Sequence, residues 1–314
     1  MPENIPVVII QGPTASGKSA LAVDLAEKTG GAVINADSMQ VYRGLRILTA
    51  RPDVETESRV PHHLFAVIDP AQNFSVGHWL ELATRHIKQA REKSVVPVLA
   101  GGTGLYLKCL RQGLVDLPPV DPAFVEKAEQ LYADIGGDAF RQELLRHDAG
   151  ALNINPRDRQ RLIRAYSVFT ASGRTLTDWQ QEQSKGPVVD GPFFTVRIMP
   201  ERQLLYRAID RRFEKMIELG ALDEVKNLLA LKLDKNLPAM KALGVPELSA
   251  FINGQLSMQD AVTKACQKSR NYAKRQLTWL RHQTSGDVDL NRPYQGEDLG
   301  SILIQFMQFC LQNK

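Results

Sequence analysis

Val7-Val8-Ile9-Ile10-Gln11-Gly12-Pro13-Thr14-Ala15-Ser16-Gly17-Lys18-Ser19 decides how the rest of the chain is read. Four β-branched residues in a row form a buried strand and run straight into Gly12. From Gly12 to Ser19 the spacing is G-x-x-x-x-G-K-S, a complete phosphate-binding loop. Gly12 and Gly17 let backbone N–H groups curl around phosphate oxygens. A helix opening near Lys18 adds its positive N-terminal end. Lys18 brings a point charge, and Ser19 a hydroxyl suited to Mg2+. The residues that follow (Ala20, Leu21, Val23, Leu25, Ala26) are amphipathic, so the loop lies between a strand and a helix, as the motif requires. It specifies a polyphosphate and leaves open which one.

Working outward, residues 31–37 (GAVINAD) read as a second buried strand ending in an acid. In parallel α/β sheets ligands gather beyond the carboxyl ends of the strands. Asp37 therefore belongs beside the phosphate loop, either as a site acid or as a helix N-cap. Residues 45–63 read as an irregular excursion, with a short strand at 64–68. His62 and His63 are adjacent and have no Cys or carboxylate cluster near them, which argues against a metal site. Ser75 is placed to cap a helix running to Lys93, and residues 95–100 (VVPVLA) form the next buried strand. That strand discharges into Gly101-Gly102-Thr103-Gly104, a second glycine-rich turn opening onto a helix at 105–110. Thr103 reads equally as a substrate contact or as an N-cap.

Pro118, Pro119 and Pro122 mark a boundary, and from Pro122 to Gln183 only helical patterns occur. The run Asn155 to Arg164 holds four arginines against one aspartate. It is either a solvated helix face or a phosphate-contacting one. A strand at 193–199 restores the sheet, and helices follow at 221–232, 246–253, 259–282 and 296–312. In the helix at 259–282 an apolar stripe (Val262, Cys266, Ser269, Ala273, Leu277, Leu280) is flanked by two basic rows. One row is Lys264, Lys268 and Arg275, and the other Arg270, Lys274 and Arg281, with Tyr272 and Trp279 between them. Basic rows beside aromatics suit a nucleic-acid surface; a solvated helix with core aromatics fits the same pattern.

The expected fold is therefore α/β: a P-loop NTPase-like parallel sheet core flanked by helices, with a helical insertion domain and a helical C-terminal region. The segments are 1–116, 117–190 and 191–314. With 314 residues, 43% of them hydrophobic and 24% charged, there is ample material for such a core. Three scattered cysteines suit a reducing compartment. The first strand starts so early that no secretory leader is expected, and no apolar run approaches the ~20 residues of a membrane span. A cytoplasmic location without membrane contact is expected. There is no guanine-reading N-K-x-D, which excludes a GTPase. A small-molecule kinase would leave the late basic rows without a use. A transferase with a polyphosphate donor and an RNA acceptor uses every feature.

Over nearly its whole length the chain resembles the bacterial tRNA dimethylallyltransferases. The matching blocks are GPTASGKS at 12–19, ADSMQVYRG at 36–44, TARP at 49–52, VPHHL at 60–64, AGGTGLYL at 100–107, NPRDRQRLIRA at 155–165 and YAKRQLTWLR at 272–281. The chain departs from the family's usual Leu-Glu at Tyr166-Ser167 and from its usual Gly-Tyr at Gly244-Val245, where Pro246 follows. The resemblance implies dimethylallyl diphosphate as donor and, as acceptor, the adenine 3′ of the anticodon in tRNAs reading codons that start with U. It implies that Gly12, Pro13, Thr14, Ala15, Ser16, Gly17, Lys18, Ser19 and Arg212 hold the diphosphate, with Mg2+ at Ser19. It further implies that Asp37 takes the amine proton and that Thr103 orients the reacting groups beside Lys18. The tRNA anticodon stem-loop is assigned to Asp37, Ser38, Met39 and Gln40, to Gln160, Arg161, Leu162, Ile163 and Arg164, and to Lys241, Arg270, Lys274, Arg275 and Gln276. A monomer is expected. A prenyltransferase acting on free adenine nucleotides and a P-loop small-molecule kinase stand as the alternatives.

Overall fold

A computed structural model describes residues 5–115, 117–181 and 186–313. It divides into two compact units, Met1–Leu110 with Val189–Lys314, and Arg111–Val188. In the larger unit β1 (Val7–Gln11) leads through the phosphate loop into α1 (Lys18–Thr29), then β2 (Ala32–Asn35), α2 (Val54–Arg59), β3 (His62–His63), α3 (Val76–Glu92), β4 (Pro97–Gly101) and α4 (Gly104–Gln112). The smaller unit holds α5 (Pro122–Leu145), α6 (Arg159–Ser172) and α7 (Leu176–Gln181). The chain returns as β5 (Phe193–Ile198), α8 (Arg202–Glu218), α9 (Ala221–Ala230), α10 (Val245–Ile252), α11 (Met258–Gln283), β6 (Val288–Leu290) and α12 (Leu299–Gln312).

The sheet has six strands in the order β3-β2-β4-β1-β5-β6, and every pairing is parallel. β1 is buried on both faces, which is why it reads as an unbroken β-branched run. Its alternation still matters. Val8 and Ile10 pack with Leu21 and Leu25 of α1 and Ile302 and Phe306 of α12, while Val7 and Ile9 pack with Trp79 and Ile87 of α3 and Leu107 of α4. The connection leaving β1 passes over β4 to reach β2, and the connection leaving β4 passes over β1 to reach β5. The two neighbours thus send their chains in opposite directions. That opens the ligand crevice of a parallel sheet between their carboxyl ends, where the phosphate loop and the second glycine turn lie.

Two local expectations need correction, and a sixth strand adds to the sheet. The short strand is His62–His63 and not 64–68, because Leu64 and Ala66 take left-handed φ of 64° and 50°. That bends the backbone out of the sheet and leaves Ile68 only an isolated bridge to Tyr42. The stretch 45–63 is not wholly irregular: Asp53 accepts the Thr56 N–H at 2.8 Å and caps α2. That helix buries no residue, so it has no apolar stripe to read. β6 is an edge strand of three residues, tied to β5 by Arg197, whose guanidinium holds both oxygens of Asp289 at 2.7 and 2.5 Å.

In the smaller unit α5 breaks at Gly136 (φ 76°). Its core joins Ala128, Phe140 and Leu144 to Leu162, Ile163 and Ala165. The helical run expected up to residue 183 ends, as far as it can be followed, with α7 at Gln181, since residues 182–185 lie outside the described residues. So does Asp116, where the first expected segment ends.

Candidate active site

The phosphate loop is built by two left-handed residues, Ala15 (φ 64°) and Gly17 (φ 89°). Gly17 sits at the start of α1, and no side chain caps that helix. Its first N–H groups are therefore left for an anion. Gly12 meets a second demand: a Cβ there would lie 2.5 Å from Oγ of Ser16. Lys18 folds back so that Nζ is 3.4 Å from the Pro13 carbonyl. Burial lowers its ammonium to about 8; the charge of Asp37 opposes the fall and that of Arg212 adds to it. Arg212, on α8, donates to the Thr14 hydroxyl. Burial lowers it to about 10, again against the pull of Asp37. Two cations held below their ordinary range beside N–H groups that no side chain caps make a site that gains most from a polyanion.

Asp37 is not a helix cap. No helix follows it, and residues 38–41 are a turn that its Oδ1 supports by accepting the Met39 N–H at 2.9 Å. Buried Asn35 sets its backbone, accepting from Asp37 N at 2.8 Å and donating to Asp37 O at 3.0 Å. Thr103 is not turned back to cap α4 either. Its Oγ1 accepts the Ser38 N–H at 3.0 Å and meets the Tyr272 hydroxyl. Burial foremost, and then the charge of Asp37, push that phenol upward.

Two cavities meet here. One, of about 340 Å³, is lined by residues 14–20 of the loop together with Asp37 and Arg212. The other, of about 280 Å³, combines an apolar set from Met39, Leu48, Ile209, Phe213 and Met216 with a polar and charged set that includes Ser38, Lys241, Ser269 and Arg275. Thr14, Asp37, Thr49 and Arg212 belong to both. An anion in the first cavity and an apolar group in the second would be joined across Asp37.

The structure sorts the residues assigned to RNA. Ser38, Met39, Lys241 and Arg275 line the apolar chamber. Gln40 does not; it is 8% exposed and spends its amide on the carbonyls of Thr49 and Ala50, at 2.9 and 3.1 Å. Leu162 and Ile163 are buried in the core of the smaller unit, whereas Gln160, Arg161 and Arg164 are exposed on α6. The departures Ser167 and Val245 are fully buried. On α11 the two basic rows are thinner than their spacing implies. Arg270 holds both oxygens of Asp210 at 2.8 and 2.7 Å, and Lys268 pairs with the buried Glu247. Lys274 and Arg275 remain on an open surface with Asn271, Thr278, Trp279 and His282. Gln276 faces inward, hydrogen-bonded at both ends of its amide. Helical periodicity reports which face a residue occupies. It cannot report a carboxylate arriving from another helix.

Sequence reading named Ser38, Met39, Lys241 and Arg275 of this chamber but missed its apolar lining and the clamp on its rim. Glu224 of α9 accepts the N–H groups of Arg46 and Ile47 at 2.6 and 2.8 Å through Oε1, and that of Leu48 at 2.9 Å through Oε2. Nothing in the neighbourhood of Glu224 in the sequence announces this, because its partners lie 176–178 residues away. For a cation, no group of three or more His, Cys, Asp or Glu side chains stands together among the described residues. Ser19 and Asp37 do line one anion cavity, and Mg2+ is commonly held by one or two protein oxygens plus phosphate oxygens.

Sheet, loop and twin cavities define a phosphate-loop transferase with an anion site opening onto an apolar chamber. A family model described as IPP transferase matches residues 40–283, and one described as isopentenyl transferase matches 5–60. A tRNA dimethylallyltransferase of Rhodospirillum centenum is 49% identical over 90% of both chains, and one of Paramagnetospirillum magneticum is 42% identical over 98% of this chain and 97% of its own. Among solved structures, a tRNA isopentenylpyrophosphate transferase of Bacillus halodurans superposes with a TM-score of 0.70 at 32% identity, covering 98% of this chain and 97% of its own. A eukaryotic dimethylallyltransferase described as acting on tRNA gives 0.75 at 25% identity, covering 88% and 69%. The chain belongs to the tRNA dimethylallyltransferase family.

Proposed function

We propose that this protein transfers a dimethylallyl group from dimethylallyl diphosphate to the exocyclic N6 amine of the adenine 3′-adjacent to the anticodon, in tRNAs that read codons starting with U. The observation that carries this reading is the position of Asp37, the one carboxylate on the wall shared by the anion cavity and the apolar chamber. The diphosphate takes the loop, with Lys18, Arg212 and the N-terminal N–H groups of α1 around it. The dimethylallyl group and the adenine meet at the chamber. As the N6 lone pair forms the new N–C bond, the allylic C–O bond breaks, diphosphate leaves and the N6 proton passes to Asp37. The leaving charge is stabilised where it develops, by cations already in place. Mg2+, held by Ser19 and the diphosphate oxygens with Asp37 at hand, would supply further charge neutralisation. Thr103 and Tyr272 orient the acceptor beside Asp37. An adenine in a stacked loop must leave its stack to reach this position. Lys274, Arg275 and Trp279 offer cations and a ring for the anticodon arm.

Labelled dimethylallyl diphosphate, incubated with total tRNA, with AMP, or replaced by ATP plus small acceptors, separates the readings. Label in tRNA alone is the expected result. Label in AMP, or phosphoryl transfer from ATP, would favour the free-nucleotide prenyltransferase or the kinase. A cytoplasmic location belongs to the same reading, as does a monomeric state, which light scattering of the purified chain with and without tRNA checks. No helix among the described residues is long and apolar enough to cross a membrane.

A further inference from the structure

Gln276 occupies an unusual place for a polar side chain. It lies on the inner stripe of α11, next to Ala273, Leu277 and Leu280, and is 7% exposed. A buried amide must find partners for both its ends. Its Oε1 accepts the backbone N–H of Thr14 in the phosphate loop at 2.9 Å. Its Nε2 donates to the carbonyl of Gly102 in the second glycine turn, also at 2.9 Å. The partners fix the orientation, since an N–H can only donate and a carbonyl can only accept. They also fix the residue type: a carboxylate could serve Thr14 but not Gly102, and an ammonium the reverse. One helical turn earlier on the same face, Tyr272 reaches Thr103 of that same turn. Both loops at the mouth of the crevice are thus set from one edge of α11, while its outer surface carries Lys274 and Arg275.

We propose that Gln276 is a positioning residue for the transfer reaction: it ties the phosphate loop to the Gly101–Gly104 turn, so that the donor's diphosphate, Asp37 and Thr103 share one frame. Thr14 is the pivot. Its N–H is held by Gln276 and its hydroxyl by Arg212. Releasing the first contact lets Thr14 turn and draws Arg212 away from the anion. The inference rests on the proposed transfer and replaces an RNA contact at Gln276 with a role towards the donor.

The test uses Gln276→Met, which keeps length and loses both hydrogen bonds, and Gly102→Ala, whose Cβ would lie 2.1 Å from Gln276 Nε2 and so displaces the amide while leaving it in the chain. Three quantities are read for each: steady-state kinetics with donor and tRNA, binding of inorganic diphosphate by calorimetry, and tRNA affinity without donor. Gln276→Met should lower donor kcat/KM by about tenfold to a hundredfold, the scale of buried partners left unpaired. It should also weaken diphosphate binding and leave tRNA affinity within about twofold, a change too small to count as a lost phosphate contact. Gly102→Ala should reproduce that pattern, and the double variant should be no worse than Gln276→Met alone, because both changes break the same Gln276 bridge. Should Gln276→Met not fold, Gly102→Ala carries the test alone. Unchanged donor kcat/KM and diphosphate binding, or weakened tRNA affinity with the donor unaffected, overturns the proposal. Wild-type protein that transfers no label to tRNA would instead overturn the reading of function, whatever the variants do.

Discussion

Replacing Lys18 by Met should make the empty protein more stable while removing its ability to hold a donor. Burial in the loop lowers the Lys18 ammonium from 10.5 to about 8, so at pH 7 the folded chain carries a charge its surroundings disfavour. The shift corresponds to at most about 3 kcal/mol. The sign follows from proton counting. Between about pH 8 and 10.5 the unfolded chain binds more protons at this site than the folded one, so its contribution to stability rises with pH. Below pH 8 the full cost is present, and above 10.5 it vanishes. Methionine keeps the apolar stem and has no charge to desolvate, so Lys18→Met should gain up to about 3 kcal/mol at pH 7, and the gain should shrink to nothing as pH passes 10.5. The lost contact to the Pro13 carbonyl is long at 3.4 Å and offsets little of this. Urea denaturation of both proteins at pH 7, 9 and 10.5, beside diphosphate titrations at pH 7, measures the trade. Diphosphate binding should fall by at least about tenfold, the scale of one charge-assisted hydrogen bond. A variant no more stable than wild type at pH 7, or one that still binds diphosphate normally, refutes the reasoning that Lys18 is held costly in order to meet an anion.

On α11, Lys274→Ala or Arg275→Ala should weaken tRNA binding and flatten the slope of log affinity against log salt by up to about one unit per lost phosphate contact. Arg270→Ala should leave that slope unchanged and lower stability instead, because its charge is spent on Asp210; a flattened slope would return Arg270 to the RNA surface. Glu224→Gln keeps an acceptor but loses the charge that gathers three N–H groups of residues 46–48. Protease nicking of that stretch should quicken and donor KM should rise; an unchanged cleavage rate would mean that Gln40 alone secures the loop. The donor being a diphosphate ester, purified protein should hydrolyse no ATP with or without tRNA, and steady tRNA-stimulated phosphate release would contradict the proposed chemistry.

Most of the strand ladder and the phosphate loop were legible because parallel strands buried on both faces leave β-branched runs, and because the loop's chemistry demands its glycines, Lys18 and Ser19 in order. Asp37 was legible from topology alone, since a residue just past β2 must reach the loop edge. The exposed helix α2 and the edge strand β6 were not, for one has no apolar stripe and the other is only three residues long. The chamber's apolar lining was invisible for a different reason: Leu48, Phe213 and Leu243 come from three separate segments that only the tertiary fold brings together. The same holds for the side chains whose partners were hidden. Gln40, Arg270 and Gln276 have the composition of a binding surface and the hydrogen bonds of a scaffold.

Asp37→Asn tests the central claim, that this carboxylate takes the amine proton. Asparagine keeps an oxygen to accept the Met39 N–H, so the turn and the fold should stand. The measurement is single-turnover transfer from a preformed complex with tRNA and labelled donor. General-base assistance is worth roughly 10²–10⁴ in rate. A fall of that size, with tRNA affinity, diphosphate affinity and melting temperature close to those of wild type, is the predicted result. A near-normal transfer rate in Asp37→Asn would contradict it.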